Sequence, residues 1–201
     1  MDGLLDRLVH RPLASLLVRL LLRLPVSPNM VTLAGLAMGL IAAREFWHAT
    51  PRSALAGIVA YFLSSVADHA DGQLARLTGR ATALGRWLDI FADTVIQILI
   101  ALAMAASARA QGGDTMLWLG VTAASWLALS AVCVNFLPPR APRPGFSASL
   151  LRALANRDPF YGVLVAFLVI VSTNERLLPG LVWILAAGSQ AYWLAYLGVR
   201  S

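Results

Sequence analysis

The sequence has no lysine, a single cysteine and few charged residues. Charged residues make up 13% of the 201 positions and hydrophobic residues 59%, and this balance excludes a soluble domain of ordinary composition. The lone Cys133 excludes an intrachain disulfide. Because it lies in an apolar stretch, we expect a buried and unreactive thiol. The composition therefore predicts a membrane protein.

Apolar stretches recur along the whole chain. A membrane-spanning helix needs about 20 residues. Six stretches are interpreted as spans: 29–47, 53–75, 87–108, 115–137, 159–174 and 178–198. No soluble insert or internal repeat separates them. The prediction is an all-α, polytopic membrane protein with six transmembrane helices that form a single domain over residues 1–201.

The N-terminal segment 1–25 has leucines at helical spacing with charged residues between them. Pro12 is expected to kink or interrupt this helix. The pattern predicts an amphipathic helix lying in the cytosolic membrane interface, and a soluble helix docked on the bundle is the alternative. The segment lacks the features of a cleavable secretory signal, so we expect it to be retained.

All sixteen basic residues are arginine, and the net charge is +6. In a membrane protein such charge indicates orientation, so no nucleic-acid partner is expected. With six spans, twelve arginines fall on the side that carries both termini and four on the other side. The positive-inside rule therefore predicts that both termini lie in the cytosol.

Four of the ten acidic residues lie close together on apolar helices: Asp68, Asp71, Asp89 and Asp93. Charge at such depth is costly and needs a partner or a function. Within each pair, the spacing of three or four residues places both carboxylates on one helix face. The short turn at 77–85 predicts that the two helices are antiparallel neighbours and that the carboxylates converge. Oxygen ligands favour a hard cation, Mg²⁺ first, with Mn²⁺ or Ca²⁺ as alternatives.

Small residues and one arginine surround these aspartates. Gly72 follows the second aspartate and Gly85 lies one turn before the third, so phosphates or a base could approach the backbone there. Ala75, four residues after Asp71, lies on the same helix face, and its small side chain leaves room for a ligand there. Arg76 offers a fixed cation suited to phosphate.

Together the residues read Asp68-x-x-Asp71-Gly72-x-x-Ala75-Arg76, eight residues, then Gly85-x-x-x-Asp89-x-x-x-Asp93. This segment resembles the signature of the CDP-alcohol phosphotransferase family at every fixed position and spacing. The resemblance is tight over residues 68–93. It is looser over the rest of the chain, where the six-span outline and the N-terminal helix also look like that family.

The resemblance implies an enzyme that transfers a substituted phosphate group from a CDP-alcohol donor to an alcohol acceptor and releases CMP. It implies that two metal ions, Mg²⁺ or Mn²⁺, are held by Asp68, Asp71, Asp89 and Asp93. Asp93 would also act as the base that takes the proton of the acceptor hydroxyl. The residues implied to line the nucleotide pocket are Gly72, Ala75, Arg76 and Gly85. A homodimer in a bacterial inner membrane, with a cytosolic active site, is implied as well.

The expected substrates follow only from a general likeness of the chain to some members of the family. The compact chain and its arginine-rich fourth loop look more like members that pair a CDP-linked lipid, such as CDP-diacylglycerol, with a phosphorylated polyol such as inositol phosphate, in phospholipid biosynthesis. The candidate cations for the acceptor phosphate are Arg80, Arg140, Arg143 and Arg157. Arg157 is the first choice. The alternative is a diacylglycerol acceptor with a soluble, CDP-choline-like donor.

Three other interpretations compete with this one. The aspartates could be polar packing contacts between helices, although Ser, Thr or Asn usually serve that purpose. They could form the site of an ion transporter, but the sequence shows no inverted repeat and no pair of broken helices. A non-catalytic scaffold would be expected to lose signature residues, and none is lost.

His69 points about 100° away from Asp68 on a helix, so we expect a neighbouring role and not ligation.

Overall fold

The computed structural model describes residues 3–136 and 158–200, and this part of the chain contains helices and no strand. The prediction of an all-α protein is confirmed. The α-helices are α1 Arg11–Leu21, α2 Pro28–His48, α3 Pro51–Leu77, α4 Ala83–Ser107, α5 Arg109–Gly112, α6 Thr115–Phe136, α7 Asp158–Thr173 and α8 Leu178–Arg200. A π-helical turn, Asp6–His10, precedes α1, and a 3-10 turn, Glu175–Leu177, precedes α8.

The long helices begin at capping residues. Ser27 accepts a hydrogen bond from the Met30 amide at 3.4 Å, and Pro28 occupies the first turn of α2, where no amide donor is needed. Thr50 and Ser53 form a reciprocal capping box at the start of α3. These local bonds fix the starts of the helices that carry the candidate site.

Helix α2 packs against both α3 and α4. Two glycines permit this, because a Cβ at Gly35 would lie 3.2 Å from the Ala67 Cβ of α3, and one at Gly39 would lie 2.3 Å from Ile96 of α4. Within the described residues, α3 and α4 are not among the closely packed helix pairs. The two helices therefore meet through side chains such as Asp68 and Asp89 and not through closely packed backbones, because the small residues of α2 let it pack closely against both.

The larger apolar cluster of the described residues joins α2, α4, α7 and α8. The T-shaped contact between Phe46 and Phe167, with ring centroids 5.4 Å apart, joins α2 to α7. Ile100 and Met104 of α4 and Leu178 of α8 are fully buried in the same cluster. This cluster holds these helices together, and a smaller one that includes Ala67 and Ala70 lies beside the aspartates.

The N-terminal helix is continuous through a π-helical turn. The amide of Arg11 bonds to the carbonyl oxygen of Asp6, five residues back, immediately before Pro12. Pro12 cannot donate an amide bond and its ring crowds the preceding turn, which explains the irregularity at the predicted kink. Ala14 and Val18 are buried and pack with residues of α3. The exposed side of the segment carries Leu4, Leu8, Leu13, Leu16 and Leu20.

Two of the described helices, Pro28–His48 and Ala83–Ser107, are long and apolar enough to cross a membrane, judged by length and composition. Two shorter stretches, Thr115–Leu129 and Pro159–Thr173, are apolar helices below that length. The predicted count of six spans is therefore not confirmed.

Candidate active site

The signature segment runs through the end of α3, a five-residue connection and the start of α4. Gly79 in the connection has a φ of 66°, a conformation that glycine adopts without strain. Thr82 caps α4 by accepting the amide of Gly85 at 3.0 Å. The cap places Gly85 at the edge of the site and Asp89 one turn further along the helix.

The carboxylates of α3 and α4 meet beside α2. Asp89 contacts the Asp68 carboxylate and interacts electrostatically with Asp71 and Asp93. Asp71 is only 5% exposed and accepts a hydrogen bond from the Thr32 hydroxyl of α2. The structure therefore brings together the four aspartates that the sequence singled out, with a partner from a third helix.

The cluster has the chemistry of a cation site. Carboxylates that approach one another in a partly buried place repel unless cations or protons offset their charge. The Asp89 Oδ1 atom is buried and has no hydrogen-bond partner among the residues that the structure describes. Such an oxygen fits a hard metal ion, which would supply the missing interaction.

The four carboxylates do not form a complete metal site in this arrangement. Among the residues that the structure describes, no three His, Cys, Asp or Glu side chains are grouped so that they could hold an ion as they stand. Asp93 is half-buried, one turn beyond Asp89, and it is absent from the walls of the two cavities beside the cluster. Ion binding therefore needs adjustment of the carboxylate side chains.

A cavity of about 180 Å³ opens beside Asp71 and Asp89. The four residues predicted for the nucleotide pocket all line it: Gly72, Ala75, Arg76 and Gly85. Its other polar walls come from residues that the sequence analysis did not select, namely Asn29, Thr32 and Thr82. The cavity therefore joins the small-residue face of the signature to the aspartate cluster.

Two glycines keep this cavity open. A Cβ at Gly85 would lie 3.1 Å from Asn29 Oδ1 and 3.2 Å from Thr82 Oγ1. A Cβ at Gly72 would lie 3.4 Å from Nη1 of Arg76, so this guanidinium lies over the glycine. A ligand can thus approach the backbone of both helices while the Arg76 cation stands beside it.

The predicted acceptor residues are only partly described. Arg80 is exposed and lines the cavity with the nucleotide residues. Arg140, Arg143 and Arg157 lie outside the described residues. Arg86, at the start of α4, lines the same cavity.

A buried polar network, not predicted from the sequence, connects the N-terminal segment to α3 and α7. His10 is 1% exposed, and its Nδ1 lies 2.9 Å from Oδ1 of Asp6. Its Nε2 lies 3.0 Å from the hydroxyl of Tyr161, which is 2.9 Å from Ser65 Oγ. His69 lies 3.5 Å from both Asp6 and Asp68. The predicted neighbouring position of His69 is thus observed, and the network reaches the aspartate cluster.

The hydrogen bonds of this network have a defined direction. Ser65 donates to the carbonyl oxygen of Tyr61 at 3.1 Å, so its oxygen accepts from Tyr161. The Tyr161 hydroxyl has then given its one proton and accepts from His10 Nε2. His10 Nδ1, on the other side of the ring, lies within hydrogen-bond distance of the Asp6 carboxylate. The i, i+4 spacing of Asp6 and His10 was the sequence signal for this pair.

Comparison with protein families identifies the family of this chain. The family model for CDP-alcohol phosphatidyltransferases matches residues 25–187, which is most of the sequence. The chain belongs to the CDP-alcohol phosphatidyltransferase family, so the family and enzyme class predicted from the signature are confirmed.

A curated relative matches part of the chain. The chain is 35% identical over 95 residues to a protein of Thermococcus kodakarensis named bifunctional IPC transferase and DIPP synthase. The aligned stretch covers 47% of this chain and 21% of that protein. The aligned part of the chain therefore spans about a fifth of the relative's length.

Proposed function

We propose that the protein transfers a substituted phosphate group from a CDP-alcohol to the hydroxyl of an alcohol acceptor and releases CMP. The observation that carries this proposal is the cavity beside Asp71 and Asp89, whose walls include every residue of the signature assigned to the nucleotide. A site for the donor and a site for cations thus adjoin each other, as the reaction needs.

The aspartate cluster is proposed to hold two divalent cations, Mg²⁺ or Mn²⁺. The residues proposed as ligands are Asp68, Asp71, Asp89 and Asp93. The unpartnered, buried Oδ1 of Asp89 and the adjoining Asp68 carboxylate support a cation there. When bound, the cations would offset the charge of the donor diphosphate and stabilise both the attacking and the leaving oxygen.

The protein side chains would then position the substrates and move one proton. Arg76, lying over Gly72, binds a donor phosphate, and Asn29 offers polar contacts to the nucleotide. The acceptor oxygen forms a bond to phosphorus while the bond from phosphorus to the CMP oxygen breaks, and CMP leaves with that electron pair. The proton of the acceptor hydroxyl is proposed to pass to the Asp93 carboxylate, whose side chain has to turn towards the cavities because it lines neither of them.

The finer assignments rest on the resemblance. The donor is proposed to be a CDP-linked lipid such as CDP-diacylglycerol, and the acceptor a phosphorylated polyol such as inositol phosphate. From the sequence, Arg80, Arg140, Arg143 and Arg157 are the candidates for binding the acceptor phosphate. Residues 1–201 are proposed to form one membrane domain with six spans, cytosolic termini and a homodimeric assembly.

The experiment is an assay of CMP release by purified protein in detergent. CDP-diacylglycerol and CDP-choline are offered as donors with inositol phosphate, glycerol 3-phosphate and diacylglycerol as acceptors. We expect release that needs Mg²⁺ or Mn²⁺, stops in excess chelator and is not restored well by Zn²⁺, because the ligands are all oxygen. Full activity in chelator would disprove the metal-dependent mechanism. Release only from CDP-choline with diacylglycerol would favour the alternative substrates.

A further inference from the structure

A second cavity, of about 440 Å³, opens between the N-terminal helix and α3. The residues that line it are Arg11, Ser15, Asp68, His69, Gly72, Gln73, Arg76 and Asp89. Gly72, Arg76 and Asp89 also line the donor cavity, so the two spaces meet at the aspartate cluster. Nothing in the proposed donor site uses the walls that α1 contributes.

The second cavity has polar groups of opposite charge in its wall. Asp68 and Asp89 supply carboxylates, and Arg11 supplies a guanidinium from α1. The Ser15 hydroxyl donates to Gln73 Oε1 at 3.0 Å and thereby joins α1 to α3 across this space. A ligand that fits such a wall has a hydroxyl for the acidic part and an anionic group for the arginine.

We propose that this cavity binds the acceptor alcohol and that Arg11 binds a phosphate group on it, an inference that rests on the proposed transfer function. The acceptor hydroxyl would face Asp68 and Asp89, where the cations that activate the donor are expected. The acceptor phosphate would lie on Arg11, away from the donor diphosphate. Separation of the two anionic groups lowers their repulsion.

Arg11 fits this role better than the other described arginines near the site. Arg80 and Arg86 line the donor cavity only, and Arg76 lines both cavities. Arg11 lines the second cavity and not the donor cavity. It is exposed, so a soluble ligand can reach it. The guanidinium geometry suits two oxygens of one phosphate.

The test compares Arg11→Ala with Arg19→Ala, an exposed arginine of the same helix that lines neither cavity. CMP release is measured with saturating CDP-diacylglycerol while inositol phosphate or glycerol 3-phosphate is varied. We expect Arg11→Ala to raise the acceptor KM by about tenfold or more, the effect of losing about 1.4 kcal/mol of binding. The donor KM should change less than about twofold on the same scale. Arg11→Lys should recover part of the loss, and Arg19→Ala should match the unmodified protein.

A binding measurement keeps the inference separate from the proposed function. Inositol phosphate alone should raise the unfolding temperature of the unmodified and Arg19→Ala proteins, because a ligand stabilises the folded state that binds it. It should do so much less for Arg11→Ala. If Arg11→Ala unfolds on purification, Arg11→Lys replaces it in both measurements.

The outcomes differ for the two hypotheses. No CMP release by the unmodified protein with any acceptor would contradict the proposed function. Release with an unchanged acceptor KM in Arg11→Ala would overturn the acceptor site alone, and so would a raised donor KM. The phosphate on Arg11 could also belong to a lipid headgroup. An Arg11→Ala defect seen in phosphatidylglycerol vesicles and absent in phosphatidylcholine vesicles would assign it to the lipid and overturn the inference.

Discussion

At the scale of single residues, Asp93 is distinguished from the other signature aspartates by its position. It is half-buried one turn beyond Asp89 and interacts with it electrostatically. Asp71 is tied to Thr32, and Asp68 adjoins His69. Asp93 is therefore the one signature aspartate that lines neither cavity.

Asp93→Asn is expected to lower turnover and leave donor binding largely intact. The amide keeps the size of the side chain but cannot take the proton of the acceptor hydroxyl, and loss of such a group costs about 10²- to 10⁴-fold. Steady-state CMP release gives kcat and KM for both substrates. Asp68→Asn should instead also weaken the thermal stabilisation that Mg²⁺ or Mn²⁺ confers.

The control is Asp114→Asn. Asp114 is exposed and pairs with Arg109 at 2.7 Å, away from the signature segment. This variant should keep native kinetics, because exposed ion pairs contribute little. Turnover of Asp93→Asn at the native rate would show that another group accepts the proton.

The site was predictable from the sequence where its residues follow one another at fixed spacing. Helical periodicity and the short connection between α3 and α4 were enough to predict that Asp68 and Asp89 lie close together. Asn29 and Thr32 were missed because they come from α2, and no spacing rule relates them to the signature. The Asp6 and His10 pair was missed because a charged residue beside leucines was assigned to the polar face of an interfacial helix.

At the scale of elements, α2 is the helix on which the site depends. Gly35 and Gly39 are four residues apart and let α2 approach α3 and α4. The same helix contributes Asn29 and Thr32 to the donor cavity. The Gly-x-x-x-Gly spacing was present in the sequence and indicates close packing, so it was the signal for the position of α2.

Gly39→Ala is expected to destabilise the bundle and impair donor binding. Its Cβ would lie 2.3 Å from two carbons of the buried Ile96 side chain, and overpacking of this kind costs about 1–3 kcal/mol. Thermal unfolding in detergent and the donor KM measure the two effects. Ile96→Ala in the same protein should restore part of both, because it removes the clashing atoms.

The control is Gly188→Ala on α8, where an added Cβ would meet no atom of the described residues within 4 Å. Alanine is the better helix former, so this change should be neutral or slightly stabilising. Equal stability of Gly39→Ala and Gly188→Ala would mean that α2 is not held against α4 as described.

The N-terminal segment is held to the bundle by the Asp6 and His10 pair. His10→Ala leaves the Asp6 carboxylate, which is 5% exposed, without its histidine, and such a loss costs about 3–5 kcal/mol. We expect a lower unfolding temperature and faster proteolysis within the segment. Asp6→Asn in the His10→Ala protein should recover part of the stability, because it removes the buried charge.

His48→Ala serves as the matched control. His48 is exposed at the end of α2 and should tolerate the change. Equal stability of His10→Ala and His48→Ala would show that the buried pair does not hold the segment in place.

At the scale of the whole molecule, hydrophobicity predicted where the helices lie in the sequence, and it did not predict which helices pack against each other. The six predicted spans each fall on a described helix, since apolar length and capping residues such as Ser27 and Thr50 act locally. Which helices are neighbours depends on side-chain volumes at Gly35 and Gly39, which a count of apolar residues does not contain. Whether every helix crosses a bilayer also depends on the lipid around it.

The length of α4, Ala83–Ser107, and the arginines beside it predict its orientation in the membrane. Its 25 residues measure about 37 Å at 1.5 Å per residue, enough to cross a hydrocarbon core of about 30 Å. Arginines are denser before the helix than after it, so the connection that contains Thr78 should be cytosolic and α5 external. In a Cys133→Ser background, Thr78→Cys and Gln111→Cys each give a protein with one thiol. In sealed right-side-out vesicles, an impermeant maleimide should label Gln111→Cys at once and Thr78→Cys only after permeabilisation. Labelling of both from the same side would exclude a crossing by α4, and the reverse pattern would invert the orientation and with it the cytosolic site.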